Sequence, residues 1–192
     1  IDHHTYVIAG DGCLMEGVSQ EAISLAGHLG LGKLIVLWDD NRITIDGKTD
    51  LSVSDDQIKR FQASGWNTLS VDGHDQAAVK AALETARGDG SKPWLIACRT
   101  IIGYGAPTKA GTSTAHGALT DAAEIQGTRD KLGWTSAPFE IPAPVLDAWR
   151  TAGKRGAALN AAWKAGLAKA GPAAAQALAS PAGAGRETAV AE

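Results

Sequence analysis

The chain has 192 residues, 44% hydrophobic and 20% charged, and its 18 basic and 21 acidic side chains leave a net charge of −3. This is the composition of a folded globular domain, and a chain of this length buries roughly 70% of its unfolded surface, enough for one real core. The slight acidity excludes the basic field of a nucleic-acid binder, and no apolar run reaches the ~20 residues that span a bilayer.

Residues 5–9 are predicted to form a strand, and residues 16–29 a helix, with Ala22, Ile23, Leu25, Ala26 and Leu29 at helical spacing. Gly30 and Gly32 punctuate its end. Residues 33–38 are a nearly unbroken apolar run of the kind buried on both sheet faces. A loop over 42–51 carries the turn signal Asp46-Gly47. Ser54 can cap a helix running to about residue 64, with Gln57 three residues on completing a capping-box pattern. Residues 67–71 are a third strand, and Asp75 caps a helix through Arg87. Residues 88–93 break it, and a fourth strand follows over 94–99. The order β-α-β-α-β-α-β specifies an α/β fold, a parallel sheet flanked by helices with right-handed crossovers.

The stretch 101–119 is rich in Gly, Thr and Ser and has no apolar period. Loops this long inside compact domains are usually functional. A helix over 120–132 takes Thr120 as its cap, and 142–170 is mostly helical and rich in Ala. The expected organisation is one domain over 1–140, a helical extension over 141–170, and a linker or disordered tail over 171–192. Ile1 is an unusual first residue and a buried strand follows almost at once, so the chain is expected to be a piece of a longer protein with an incomplete fold. Cys13 and Cys98 are the only cysteines; the expectation is two reduced, buried thiols and a cytoplasmic protein. Of the six tryptophans, Trp134, Trp149 and Trp163 are among those read as core or docking surface.

Two polar residues stand out. Asp11, in Gly10-Asp11-Gly12, directly follows the first strand, and Asn41, in Asp39-Asp40-Asn41, directly follows the second. Both therefore lie at carboxyl ends of predicted parallel strands, the edge where open α/β sheets bind ligands. They are 30 residues apart, about one βαβ unit. A carboxylate and an amide oxygen are hard ligands suited to Mg²⁺, and a backbone carbonyl just beyond Asn41, most simply that of Ile43, can supply a third oxygen. The flanking glycines let backbone N–H groups approach a phosphate. Each feature alone is also an ordinary turn; together they read as a Mg²⁺–diphosphate clamp.

Gly10-Asp11-Gly12-Cys13-Leu14-Met15-Glu16-Gly17, followed by Asp39-Asp40-Asn41-Arg42-Ile43-Thr44-Ile45-Asp46-Gly47, resembles the thiamine-diphosphate signature in its transketolase form. Leu25-Ala26-Gly27-His28-Leu29, Ile102-Gly103-Tyr104-Gly105, Lys109-Ala110-Gly111-Thr112 and His116-Gly117 are similar to transketolase in the same order. The resemblance implies the diphosphate-binding module of the thiamine-diphosphate-binding fold. It implies that Asp11, Asn41 and the carbonyl of Ile43 bind Mg²⁺ (Ca²⁺ or Mn²⁺ as substitutes). Gly10 and Gly12 would lie against the diphosphate, with Asp39 beside the cofactor. Ile45 and Ile102 would line the thiazolium, and His116 would reach both the diphosphate and the sugar substrate. Glu16 and Glu21 would lie near the subunit interface in a buried acidic relay between active sites, although charge at a helix start also serves the macrodipole.

The activity so implied is transfer of a two-carbon ketol unit from a ketose phosphate to an aldose phosphate, in a cytoplasmic homodimer of the pentose phosphate pathway or the Calvin cycle. The pyrimidine-binding domain would come from the partner subunit, so this piece alone is expected to be inactive. The family commonly reads His-Gly-Ala-Pro-Leu-Gly where this chain has His116-Gly117-Ala118-Leu119-Thr120. His74, in Asp-Gly-His-Asp, is read as part of a capped turn, and His28 as a favourable charge at a helix end. Three alternatives stay open: another thiamine-diphosphate enzyme, a non-catalytic partner keeping the fold, and a Rossmann dinucleotide binder. The last lacks its Gly-x-Gly-x-x-Gly spacing, because Met15 stands where the third glycine would be.

Overall fold

The computed structural model describes residues 3–179. The chain divides into two compact units between Thr135 and Ser136. The first unit is a parallel sheet of four strands, β1 (Thr5–Gly10), β2 (Leu34–Asp40), β3 (Asn67–Asp72) and β4 (Trp94–Arg99), in the order β1-β2-β4-β3. Its helices are α1 (Asp11–Met15), α2 (Gly17–His28), α3 (Gln57–Ala63), α4 (Gln76–Gly88) and α5 (Ala122–Leu132). The second unit holds α6 (Ala143–Ala170) and α7 (Pro172–Ala179).

Right-handed crossovers explain the layering. The chain steps outward from β1 to β2 to β3, then back to β4. When the direction reverses, the crossover helix must change face. Accordingly α2 and α3 pack on one face, where Ile23, Ala26, Phe61 and Trp66 meet Val36, Trp38 and Leu95. Helix α4 packs on the other, where Ala82 and Ala86 meet Ile35, Ile96 and Cys98. Strand β4 lies between two neighbours and under both layers, so every residue from Trp94 to Cys98 is buried.

Strand β1 departs from the expectation of a doubly buried strand. Its residues Thr5 to Ile8 are exposed, and among the described residues it pairs with β2 alone. It is an edge strand, with α1 and α2 contributing Leu14, Ile23 and Ala26 over Ala9 only. The expected helix over 16–29 is two helices, because Glu16 is extended (ψ 140°) between α1 and α2.

Two caps also differ. Helix α3 is capped by Asp56, whose carboxylate accepts the Lys59 N–H at 3.0 Å, rather than by Ser54. Helix α5 is capped by Asp121, which accepts from Ala123 and Glu124, rather than by Thr120. Asp75 caps α4 as expected, accepting from Ala77 and Ala78.

Cys98 is a buried free thiol, and burial with Asp39 nearby pushes it up from the ordinary thiol range, but Cys13 is exposed on α1. Trp38, Trp66 and Trp94 belong to the core; Trp134, Trp149 and Trp163 are exposed. Within the second unit, α6 buries no residue along its 28 positions. Part of the expected tail, Pro172–Ala179, is helical; the remainder of that tail, 180–192, lies outside the described residues. No helix among the described residues is long and apolar enough to cross a membrane.

Candidate functional site

Strand register gathers the site. Gly10 pairs with Asp39, Asp39 with Cys98, and Asp40 with Arg99. The residues that follow each strand end, Asp11, Asn41 and Thr100, therefore emerge together at the carboxyl edge.

Asp11 is 8% exposed. Its Oδ2 accepts the backbone N–H of Asn41 at 3.1 Å and that of Arg42 at 2.8 Å. Arg42 achieves this with a left-handed backbone (φ 61°), a conformation costing a non-glycine residue about 1–3 kcal/mol and characteristic of functional turns. Burial raises the Asp11 carboxyl above its ordinary value, the Arg42 N–H opposes that, and the nearby Asp40 charge adds to the rise. The buried Trp38 indole N–H has no hydrogen-bond partner among the described residues, and its dipole near Asp11 also favours the charged form.

Asn41 is half-buried, and each end of its amide makes one hydrogen bond. Its Oδ1 accepts the Ile43 N–H at 2.9 Å, and its Nδ2 donates to Asp39 Oδ2 at 3.2 Å. The other oxygen of Asp39 accepts the Thr100 hydroxyl. Asp40, one residue along, pairs with Arg99 at 2.9 Å and tightens the β2–β4 ends.

Beyond Asn41 the chain makes a small hairpin in which Ile43 faces Lys48. The flanking bonds run from Thr44 N–H to Gly47 O and from Thr49 N–H to Arg42 O. Ile43 thus occupies a non-hydrogen-bonded position, and the ladder leaves its carbonyl unused. Ile45 sits at the hairpin tip, 71% exposed.

The glycines of Gly10-Asp11-Gly12 face open space: a Cβ on either would meet nothing within 4 Å. Helix α1 has no side-chain cap, so its first N–H groups are also uncovered. Asp11 lines a cleft of about 660 Å³ with Trp38, Arg42, Gln57 and Arg99. Asn41, Ile43, Thr100 and Ile101 line a second cleft of about 360 Å³, which shares Arg42 and Arg99 with the first.

The long loop is folded on itself. Gly111 N–H donates to Ile102 O at 2.9 Å, and Gly103 (φ 62°) lies so close to Ala115 that a Cβ there would stand 2.7 Å from the alanine methyl. His116 follows Ala115 directly, which places it in the same loop cluster as Ile102, but it is exposed and lines neither cleft. The loop is pinned at two points. His74 accepts the Ile101 N–H on Nε2 at 3.0 Å and stacks on Tyr104 with ring centres 4.1 Å apart. Buried Glu124 on α5 accepts the Thr108 N–H and hydroxyl, contacts that hold its carboxyl below the ordinary glutamate value.

Asp11, Asp39, Asn41 and Ile43 are therefore brought together. Ile45, His116, Glu16 and Glu21 are exposed and outside this hydrogen-bonded cluster. Thr100 and the second role of His74 escaped the sequence reading. A threonine directly after a buried strand was the available signal for the first, but its partner depends on strand register. Among the described residues no three His, Cys, Asp or Glu side chains form a metal cage.

A parallel sheet covered by helices on both faces, with an acid, an amide and bare glycines gathered at its carboxyl edge, is an α/β domain of the class that binds ligands at that edge. Comparison with known proteins gives the family. The model described as "Transketolase, thiamine diphosphate binding domain" matches residues 1–182, and the chain belongs to that family. A transketolase of Cereibacter sphaeroides is 59% identical over 167 residues, which are 87% of this chain and 25% of that protein. Transketolase 1 of Vibrio cholerae is 55% identical over 177 residues, covering 90% of this chain and 26% of that protein. Among solved structures, transketolase from Leishmania mexicana superposes with a TM-score of 0.82 at 39% identity, covering 93% of this chain and 27% of that one. A Pichia stipitis transketolase complex with sedoheptulose-7-phosphate gives a TM-score of 0.80 at 40% identity, covering 88% and 25%. The chain spans about a quarter of the length of these relatives.

Proposed function

We propose that this chain is the cofactor-anchoring portion of a transketolase, an enzyme that passes a two-carbon ketol unit from a ketose phosphate to an aldose phosphate. The observation that carries this reading is the Asp11 carboxylate, buried and bonded to the backbone on both sides of the Asn41 peptide. The donor set suits a divalent cation. One carboxylate, one amide oxygen and one free carbonyl are too few for a closed cage, but suit Mg²⁺, which keeps waters and phosphate oxygens in its shell. Burial pushes Asp11 toward neutrality, and an adjacent cation reverses that push.

In this reading Asp11, Asn41 Oδ1 and the Ile43 carbonyl hold Mg²⁺, with Ca²⁺ or Mn²⁺ as substitutes. Gly10 and Gly12 admit the diphosphate, and Asp39 stands beside it. Ile45 and Ile102 offer apolar surface to the thiazolium. When bound, thiamine diphosphate supplies the nucleophilic carbon that adds to a ketose carbonyl. His116, at the loop end, orients the diphosphate and exchanges a proton with the sugar. Glu16, between α1 and α2, and Glu21, on α2, are both exposed and face a partner subunit. That subunit contributes the pyrimidine-binding domain in a homodimer. The relative that carries sedoheptulose-7-phosphate favours phosphorylated sugars as substrates. A cytoplasmic setting in the pentose phosphate pathway or the Calvin cycle follows from the same reading.

Titration of thiamine diphosphate with and without Mg²⁺, followed by tryptophan fluorescence with NAD as control, tests the anchor. Trp38 beside Asp11 is a built-in reporter. The expected result is cation-dependent quenching by thiamine diphosphate alone, and quenching by NAD overturns the reading. In the whole protein a ketose donor should be consumed and pyruvate should not. The 192-residue chain by itself should show no turnover.

A further inference from the structure

An asparagine serves a cation only if its amide is turned the right way, because its two ends are nearly isosteric but one accepts and the other donates. At Asn41 the choice is made by neighbours. The Ile43 N–H donates to Oδ1, and Nδ2 donates to Asp39 Oδ2. An ionised carboxylate only accepts, so Asp39 can face Nδ2 and never Oδ1. Asp39 would be free to swing away were it not for Thr100, whose hydroxyl donates to its remaining oxygen, Oδ1.

Thr100 is itself held twice. Its backbone N–H donates to Asp40 O at 3.2 Å, and the next N–H, that of Ile101, is taken by His74. A continuous chain of hydrogen bonds therefore runs from β4 through Thr100 and Asp39 to the amide of Asn41, across 61 residues of sequence.

We infer that Thr100 is a positioning residue for the divalent cation: it holds the Asp39 carboxylate that fixes the Asn41 amide with its oxygen toward the metal. The inference rests on the reading of Asp11 and Asn41 as metal ligands. It adds a residue that touches neither metal nor cofactor and acts two hydrogen bonds away from the ligand Asn41. Partners bonded directly to a metal ligand, as Asp39 is to Asn41, typically govern affinity by about 10–100-fold, and Thr100 acts through that partner.

Thr100→Val keeps the shape and removes the donor, whereas Thr100→Ser keeps the donor. Both are made in the whole transketolase that carries this chain. Thiamine diphosphate binding is titrated with Mg²⁺ and followed by tryptophan fluorescence, and Mn²⁺ binding is followed separately by electron paramagnetic resonance. T100V is expected to raise the half-saturating cation concentration about 10-fold, the lower end of what a ligand's direct partner governs, while T100S stays near wild type. T100V matching wild type, or T100S losing as much as T100V, overturns the inference. If thermal melts show T100V unfolded, Thr100→Ala takes its place in the same comparison. A wild type that binds thiamine diphosphate equally with and without cation overturns the metal reading and the inference together. A cation-responsive wild type beside an equally responsive T100V overturns the inference alone.

Discussion

Asp11 is buried, accepts two backbone N–H groups and stands one peptide from an amide that is itself bonded at both ends. His116, in contrast, is exposed, and its imidazole has no hydrogen-bond partner among the described residues. The two regions follow from one physical rule applied twice. A buried carboxylate costs heavily unless it is bonded, and two backbone N–H groups from the end of β2 meet one oxygen of Asp11, Oδ2. An exposed imidazole costs nothing when unpartnered, so under the proposed function His116 can wait for other groups to complete its surroundings. The cluster around Asp11 is held by hydrogen bonds within the chain, whereas His116 is only carried by its loop.

Removing Asp11 breaks this contrast most severely. Asp11→Asn keeps an acceptor for both N–H groups but loses the charge, and Mg²⁺-dependent binding of thiamine diphosphate should fall by more than about 100-fold, beyond what partners of the metal ligands cost. The same variant should be more stable than wild type without cation. The folded-state value of Asp11 lies above its ordinary 3.8. Its contribution to stability is therefore present below pH 3.8 and lost as pH rises through the folded value. At neutral pH the ionised carboxylate weakens the fold, and the amide relieves it. A urea midpoint at pH 7 that drops in D11N contradicts this account.

His116→Ala should do the opposite: a loss of roughly 100-fold in kcat in the whole enzyme, with the urea midpoint unmoved. A shifted midpoint would show that His116 belongs to the packed part of the loop. Gly27→Ala attacks the scaffold under the anchor. A Cβ there would stand 1.7 Å from the Ser64 carbonyl oxygen, where α2 meets the turn into β3. The expected cost is about 1–3 kcal/mol, read as a lower denaturation midpoint with cation affinity preserved in the folded fraction.

The smallest effect belongs to Glu124→Gln. The folded-state value of Glu124 is lowered below 4.5. Its stabilisation of the loop is present above pH 4.5 and lost as pH falls through the folded value. Hydrogen exchange at the Thr108 amide should quicken in E124Q near pH 7, and the difference from wild type should close on acidification.

The sheet was legible because its signals are local. The apolar runs at β2 and β4 and the Asp75 cap each carry their own evidence of type, and the Asp-Gly pair marked the hairpin beyond Asn41. Capping chemistry is nearly degenerate among neighbours, so Ser54 and Thr120 were plausible where Asp56 and Asp121 in fact accept the N–H groups. Helix α1, at five residues, is too short to show a period. The exposure of β1 depends on what covers it, which no pattern within the strand reveals. At the site, Asp11 and Asn41 were readable from strand ends. Thr100 was not, because its partner Asp39 is fixed only by the β2–β4 pairing.

That bare outer strand has a practical corollary. Ile8 is 81% exposed, Tyr6 and Val7 stand beside it uncovered, and among the described residues the strand's far side has no ladder to join. Such ribbons recruit copies of themselves into intermolecular sheets. Purified samples of these 192 residues are expected to turn cloudy with time and concentration, at a rate set by collisions between ribbons and not by unfolding. One lysine in place of Ile8 should keep them clear under light scattering while leaving the melting curve where it was.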